Sequence, residues 1–168
     1  TSGVLAAGDD LILDGPIQTP LPAPGGFDPD STNFAPIPVR INLRCRDSYQ
    51  FYIQGWVSVA SGVHGVTVHD CKFSSYGFRA GNTNGHKFFG VTFEYISSAF
   101  TGSGSNYEFS RCRFYSVSPA IRVSGSASSG HIVRDSSFYG GSGILAEGGA
   151  SFTAVQYNLF NYMGQAFN

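Results

Sequence analysis

The sequence predicts an all-β protein, a single-stranded right-handed parallel β-helix with about 20–24 residues per coil. The first observation is a repeat in which phenylalanine recurs after 20, 21, 24 and 22 residues, at Phe73, Phe93, Phe114, Phe138 and Phe160. The second is that apolar and polar residues alternate over short stretches separated by Gly, Ser and Asn, which is typical of strands and turns. No window shows sustained helical periodicity. Units of this length cannot bury an apolar face alone, so they must stack on one another.

Other positions of the repeat keep their character from unit to unit. Five residues before each phenylalanine lies an apolar side chain: Val68, Phe88, Phe109, Val133 and Val155. Two residues before it lies a small or medium one: Cys71, Val91, Cys112, Ser136 and Asn158. After it, a Gly or Ala leads into an apolar residue, Phe78, Phe100, Ile121, Ile144 or Phe167. We expect the phenylalanines to form an internal stack that rises by one strand spacing, about 4.8 Å, per coil.

Composition limits the possible functions. The chain has 168 residues, 12% of them charged and 15% aromatic, with a net charge of -1. This charge predicts no nucleic-acid partner, and no apolar run is long enough to predict a membrane span. The abundance of Gly, Ser, Thr and Asn is typical of secreted or virion β-solenoids, so we expect an extracellular or virion location. No cofactor is predicted.

The three cysteines do not make a complete disulfide framework by number. Cys71 and Cys112 share a position of the repeat two coils apart, roughly 9.6 Å by strand spacing, whereas a disulfide needs less than about 7 Å between Cα atoms. We therefore expect both to be small buried residues of the core. Cys45 approaches Cys71 only if their coils are adjacent.

The chain divides into three segments. Residues 1–15 contain the first strand and turn of the helix. Residues 16–38 hold seven of the eight prolines and predict a proline-rich arm or inserted loop, because proline cannot donate to a sheet ladder. Residues 39–168 form the parallel β-helix. We expect the helix to continue or be capped beyond its last residue, or to be covered in a homo-oligomer.

The proline-rich segment contains two carboxylates, Asp28 and Asp30, among several oxygen-bearing side chains. These oxygens are candidate calcium ligands. A simple Asx-rich turn explains the same residues without any metal, so no metal site is predicted there.

The start of the chain resembles the pectate-lyase-like superfamily of right-handed parallel β-helices, which includes polygalacturonases and bacteriophage tailspikes and fibres. The residues that carry the resemblance are Ile12-Leu13-Asp14-Gly15 and the stretch PVRINLRCRDSYQFYIQG at residues 38–55. The resemblance implies the fold and a carbohydrate partner, and it leaves the activity open.

The catalytic motifs of those enzymes are not matched. Where polygalacturonases have Asn-Thr-Asp and Gly-His-Gly, this chain has Asn82-Thr83-Asn84 and Gly85-His86-Lys87. Glu94 and Asp135 remain as a candidate carboxyl pair for glycosidase chemistry, which needs two carboxyl groups about 5 to 9.5 Å apart. The histidines lack metal-ligand spacing, and we expect His86 and His131 to be turn residues near the surface.

Tyrosines form the strongest candidate binding surface. Tyr115 and Tyr139 directly follow their phenylalanines, so their side chains should point outward. Two residues after the phenylalanine lie Tyr95 and Tyr162. Together with Arg111 and Arg113 they are candidate substrate-binding residues, because sugar rings bind aromatic platforms with a polar rim. Contact with a neighbouring chain explains the same tyrosines.

Three functions are compatible with the sequence. The first is a virion tailspike or fibre segment that assembles as a trimer and recognises cell-surface polysaccharide. The second is a polysaccharide lyase or glycoside hydrolase of the pectate-lyase-like superfamily. The third is a structural filament or coat subunit that stacks end to end.

Overall fold

The computed structural model describes residues 6–13, 36–46, 56–74 and 76–168, and no helix that could cross a membrane occurs among them. The described residues form seventeen strands, in chain order β1 (Asp10–Leu13), β2 (Asn42–Cys45), β3 (Val57–Ser58), β4 (Thr67–His69), β5 (Lys72–Ser74), β6 (Phe78–Gly81), β7 (Lys87–Phe89), β8 (Thr92–Glu94), β9 (Phe100–Gly102), β10 (Glu108–Ser110), β11 (Arg113–Val117), β12 (Ile121–Ser124), β13 (His131–Arg134), β14 (Ser137–Glu147), β15 (Phe152–Gln156), β16 (Leu159–Asn161) and β17 (Gln165–Phe167).

The strands stack in parallel into a β-solenoid, which confirms the predicted all-β parallel fold. Sheet A has seven strands in the order β1-β2-β4-β7-β10-β13-β15. A ten-stranded sheet forms two further faces that share β14. Face B consists of β5, β8, β11, the first half of β14 and β16. Face C consists of β3, β6, β9, β12, the second half of β14 and β17. The chain visits A, B and C in turn, so five complete turns run from β4 to β17.

At the corner between sheet A and face B, one residue of each coil has a left-handed backbone conformation with positive φ. Gly90 has a φ of 65°, and values between 53° and 55° occur at Asp70, Arg111, Asp135 and Tyr157. This region is unfavourable for most residues other than glycine. The N–H groups there donate to carbonyls of the next coil, as from Asp70 to Phe89 at 3.0 Å. Hydrogen bonding between coils therefore sets this corner, rather than the local propensity of each residue.

The core consists of ladders of identical or similar side chains. The phenylalanine ladder of face B stacks with centroid distances of 4.9, 5.3, 4.6 and 4.6 Å from Phe73 to Phe160. In sheet A, Phe88 and Phe109 stack at 4.8 Å. Phe73, Phe93, Phe114 and Phe138 are at most 1% exposed. The predicted internal stack is thus confirmed in its register, and its first four members are buried as expected, whereas Phe160 is partly buried.

Small residues precede face C because adjacent coils approach closely there. A Cβ atom on Gly77 would lie 2.2 Å from the carbonyl oxygen of Ala99. The same holds three coils later, where a Cβ atom on Gly143 would lie 2.2 Å from the Ala166 carbonyl oxygen. These contacts leave no room for a larger side chain.

The expectation that His86 and His131 lie near the surface is wrong. Both are fully buried and stack on Tyr107, at centroid distances of 5.8 and 4.9 Å. Nδ1 of His86 accepts the Val66 N–H at 3.1 Å, and Nδ1 of His131 accepts the Tyr107 N–H at 3.3 Å. The remaining ring nitrogens lie 2.6 Å from Thr83 Oγ1 and 2.9 Å from Ser128 Oγ. Because both ring nitrogens have partners, a neutral imidazole can be buried at little cost.

The cysteine prediction also needs correction. β2 and β4 are adjacent in sheet A, so Cys45 reaches Cys71 and the two form a disulfide with a Cα–Cα distance of 4.9 Å. Cys112 is a free, buried cysteine, as expected for a small core residue. Burial raises the pKa of its thiol to about 12.

The segment boundaries are only partly visible. β1 pairs with β2 and so forms the first rung of sheet A. Most of the predicted proline-rich arm at residues 16–38, including Asp28 and Asp30, lies outside the described residues. At its end, Ile37 forms a parallel bridge with Val59.

Candidate functional site

Face B presents two outward columns of side chains, one on each side of the phenylalanine ladder. Strand pairing in register aligns the residues before the phenylalanines as Lys72, Thr92, Arg113, Ser137 and Leu159. It aligns the residues after them as Ser74, Glu94, Tyr115, Tyr139 and Asn161. The alternation of inward and outward side chains along each strand produces both columns.

A shallow groove of about 480 Å³ runs across the earlier coils of this face. Its lining comes from three successive coils and from the corner beside them: Asp70, Lys72, Gly90, Thr92, Glu94, Arg111, Arg113 and Tyr115. The groove therefore extends along the solenoid axis. It brings together four residues that the sequence singled out, and these are Glu94, Arg111, Arg113 and Tyr115.

An ion pair forms part of the groove wall. Nζ of Lys72 lies 2.7 Å from Oε1 of Glu94 on the next coil, and the two side chains are only 16% and 17% exposed. Partial burial protects the pair from solvent screening, so it holds both side chains in place. Lys72 was not predicted as a site residue. Its position in the same column as Arg113 was the signal that could have identified it.

Asp70 borders the groove at the corner between sheet A and face B. Its Oδ1 atom lies only 2.5 Å from where a Cβ atom on Gly90 would be. The Asp70 carboxylate thus occupies the space that a side chain would fill in the next coil. Both this carboxylate and the left-handed backbone favour glycine at position 90.

The two predicted arginines lie one coil further along the axis. Arg111 and Arg113 are both exposed and both line the groove. Among the residues that the structure describes, neither guanidinium has an ion-pair partner. Arg113 has Thr92 and Ser137 as its in-register neighbours, and neither carries a charge.

Tyrosines continue the surface beyond the groove. Tyr115 and Tyr139 are in register on adjacent coils, 38% and 46% exposed, with ring centroids 6.2 Å apart and planes tilted by 48°. Tyr162 packs edge-on against Tyr139 at 5.3 Å. The outward position expected for Tyr115 and Tyr139 is what the structure shows.

The other two candidate tyrosines lie at the corner between faces B and C. Tyr95 and Tyr162 are 74% and 77% exposed, with φ values of 54° and 51°. The Tyr95 N–H donates to the Tyr115 carbonyl at 2.9 Å. Tyr162 is part of the tyrosine row, whereas Tyr95 lies at the corner directly after Glu94 and does not line the groove.

The two candidate catalytic carboxylates lie in different surroundings. Glu94 lies in the groove and pairs with Lys72. Asp135 is exposed at the corner between sheet A and face B, and it is not among the residues that line the groove. Among residues 6–13, 36–46, 56–74 and 76–168, no three His, Cys, Asp or Glu side chains form a group that could hold a metal ion.

The sequence matches no protein-family model, and neither a curated protein nor a solved structure shows significant similarity to it.

Proposed function

We propose that face B binds polysaccharide and that the protein is a segment of a virion tailspike or fibre that recognises a cell surface. The observation that carries this proposal is the row of exposed tyrosines, Tyr115, Tyr139 and Tyr162, which continues a polar groove along the axis of the solenoid. Exposed aromatic rings beside charged and hydroxyl-bearing side chains suit a ligand that is apolar on one face and polar at its edge.

A sugar ring meets this description. Its C–H face can lie on a tyrosine ring, and its hydroxyl groups can hydrogen-bond to Glu94, Arg111 and Arg113 at the rim. A polysaccharide is also long enough to follow a surface that rises by about 4.8 Å per coil. The tyrosine row and the groove together cover all five complete turns from β5 to β16.

The proposed extracellular or virion location agrees with the covalent chemistry of the chain. The Cys45–Cys71 disulfide is of the kind that persists in oxidising environments and is rare in the cytosol. The sequence resemblance to the pectate-lyase-like superfamily favours the same class of extracellular β-helices that act on or bind carbohydrates.

An exposed apolar side chain on face B supports assembly into a homo-oligomer. Leu159 lies in the outward column with Arg113 and Ser137 and is 62% exposed. We propose that a second copy covers Leu159 in a trimer. The alternative assembly is an end-to-end stack, which is also the arrangement of a structural filament or coat subunit. A mass of one chain by light scattering at micromolar concentration would contradict this assembly.

A polysaccharide lyase or glycoside hydrolase is the second candidate function. It is favoured by Glu94, a carboxylate held in the groove by Lys72 at 2.7 Å. The ion pair holds the carboxylate in a fixed position, as a nucleophile or general base requires.

Two assays on the same polysaccharides distinguish binding from catalysis. Immobilised bacterial surface polysaccharides report binding, and assays for reducing ends and for unsaturated products report cleavage. The proposal predicts binding without cleavage. Cleavage that is lost in the Glu94→Gln variant would support the enzyme, and absence of binding to every polysaccharide would contradict both functions.

A further inference from the structure

Among the described residues that line the groove of face B, cations outnumber carboxylates. They include three cations, Lys72, Arg111 and Arg113, and two carboxylates, Asp70 and Glu94. Lys72 and Glu94 lie 2.7 Å apart and form an ion pair. The described part of the lining therefore has one more cation than carboxylates.

Arg113 has no charged in-register neighbour on either adjacent coil. Thr92 and Ser137 flank it in register, and none of the carboxylates that the structure describes lies within ion-pairing distance of its guanidinium. Arg111 lies at the corner two residues earlier and is also without an ion pair to a described residue. A planar guanidinium without a partner is suited to bind an anionic group through two parallel hydrogen bonds.

Arg113 also lies beside the aromatic surface. Arg113 and Tyr115 are two residues apart on β11, so both side chains point outward from the same face. Tyr139 lies in register with Tyr115 on the next coil. An anionic group bound at Arg113 would therefore belong to a sugar ring that contacts Tyr115, or to the next sugar of the same polysaccharide.

We propose that Arg113, with Arg111 beside it, binds the anionic group of an acidic sugar and so selects acidic over neutral polysaccharides. This inference rests on the proposed binding of polysaccharide by face B. The ligand is a polysaccharide that runs along the solenoid axis, with an acidic residue over the groove and further sugar rings on the tyrosines. Its anionic group is a carboxylate or a sulfate, and the two bind a guanidinium by the same hydrogen bonds.

The test compares the wild-type protein with Arg113→Gln on acidic and neutral bacterial surface polysaccharides. Each acidic polysaccharide is also presented after carboxyl reduction or after desulfation, which identifies the source of the charge. We expect the wild-type protein to bind acidic polysaccharides and to lose at least about tenfold in affinity, or about 1.4 kcal/mol, when the charge is removed. Arg113→Gln should show the same loss on the native polysaccharide and little further loss on the neutralised one.

The control is Arg122→Gln, which removes another exposed arginine, on face C, where it pairs with Glu147. This variant should bind like the wild-type protein, and the melting temperature of Arg113→Gln should stay close to that of the parent. Equal binding of native and neutralised polysaccharide, or unchanged binding by Arg113→Gln, would overturn the inference. If Tyr115→Ala still weakened binding in that case, the proposed function would stand. Absence of binding to every polysaccharide would overturn both.

Discussion

The imidazole of His131 stacks on the phenol ring of Tyr107 inside the solenoid, with centroids 4.9 Å apart and planes within 16° of parallel. Its Nδ1 atom accepts the backbone N–H of Tyr107 at 3.3 Å. One side chain thus supplies both a core contact and a hydrogen bond between adjacent coils. His86 repeats the arrangement with the Val66 N–H two coils earlier. Both bonds require an unprotonated Nδ1 atom, so both histidines must be neutral in the folded protein.

Stability should therefore fall in mild acid. Burial lowers the pKa of His86 and of His131 from 6.5 to about 4. Between these values the unfolded chain binds more protons than the folded one, so the free energy of unfolding falls as the pH drops from 6.5 towards 4. Above pH 6.5 the two histidines no longer reduce the free energy of unfolding. The loss is about 2–3 kcal/mol for each histidine.

Chemical denaturation at several pH values checks this prediction, with His131→Phe as the comparison. The variant is less stable at neutral pH, because the Tyr107 N–H loses its acceptor, but its stability should depend less steeply on pH. Imidazole NMR signals of folded protein should titrate near pH 4. Titration of His86 and His131 near their ordinary pKa of 6.5, with the native fold intact, would contradict the account.

Replacement of Phe114 tests the core ladder. Phe114 is 1% exposed and stacks between Phe93 and Phe138 at 5.3 and 4.6 Å. Phe114→Ala should lower the free energy of unfolding by about 3–5 kcal/mol through lost burial and a cavity. Tyr115→Ala, at the next residue but on the outer surface, is the matched control and should cost much less. If the Phe114→Ala variant melted within about a degree of the parent, Phe114 could not be a buried member of the phenylalanine ladder.

The disulfide can be tested by counting reactive thiols. Cys112 is buried and its pKa is raised to about 12 by burial, so the folded protein should not react with a thiol reagent at neutral pH. After unfolding without reductant one thiol should react, and after reduction all three should react. Three reactive thiols without reductant would contradict the Cys45–Cys71 bond. Breaking this bond should cost about 2–4 kcal/mol of stability.

Much of the fold could be predicted because the repeat specifies its own register. Once Phe73 and Phe93 are equivalent, the positions of Glu94 and Tyr115 on the outer surface follow from alternation along the strands. The in-register pairing of Tyr115 with Tyr139 agrees with this reasoning. The sequence therefore identified the residues after the phenylalanines as a surface column.

The features that the sequence did not predict depend on distances between coils. Burial of a histidine costs little free energy where a backbone N–H of the neighbouring coil donates to its Nδ1 atom, as the Val66 N–H does to His86. The Cys45–Cys71 bond requires that their coils be adjacent, and the repeat that predicts the register begins at Val68, after Cys45. The Lys72–Glu94 pair joins positions on either side of two different phenylalanines. No single-column pattern predicts such a diagonal contact.

Titration of Tyr115→Ala and Tyr139→Ala shows whether the tyrosine row binds sugar rings. A polysaccharide bound by the wild-type protein is titrated into each variant, and melting temperatures are measured in parallel. Tyr157→Ala, which removes an exposed tyrosine outside the row, is the control.

Each variant in the row should bind about 1–2 kcal/mol more weakly, while its melting temperature stays close to that of the parent because the side chains are exposed. A large drop in melting temperature would place these tyrosines in a subunit interface instead. Unchanged affinity together with unchanged melting would contradict the claim that this surface binds polysaccharide.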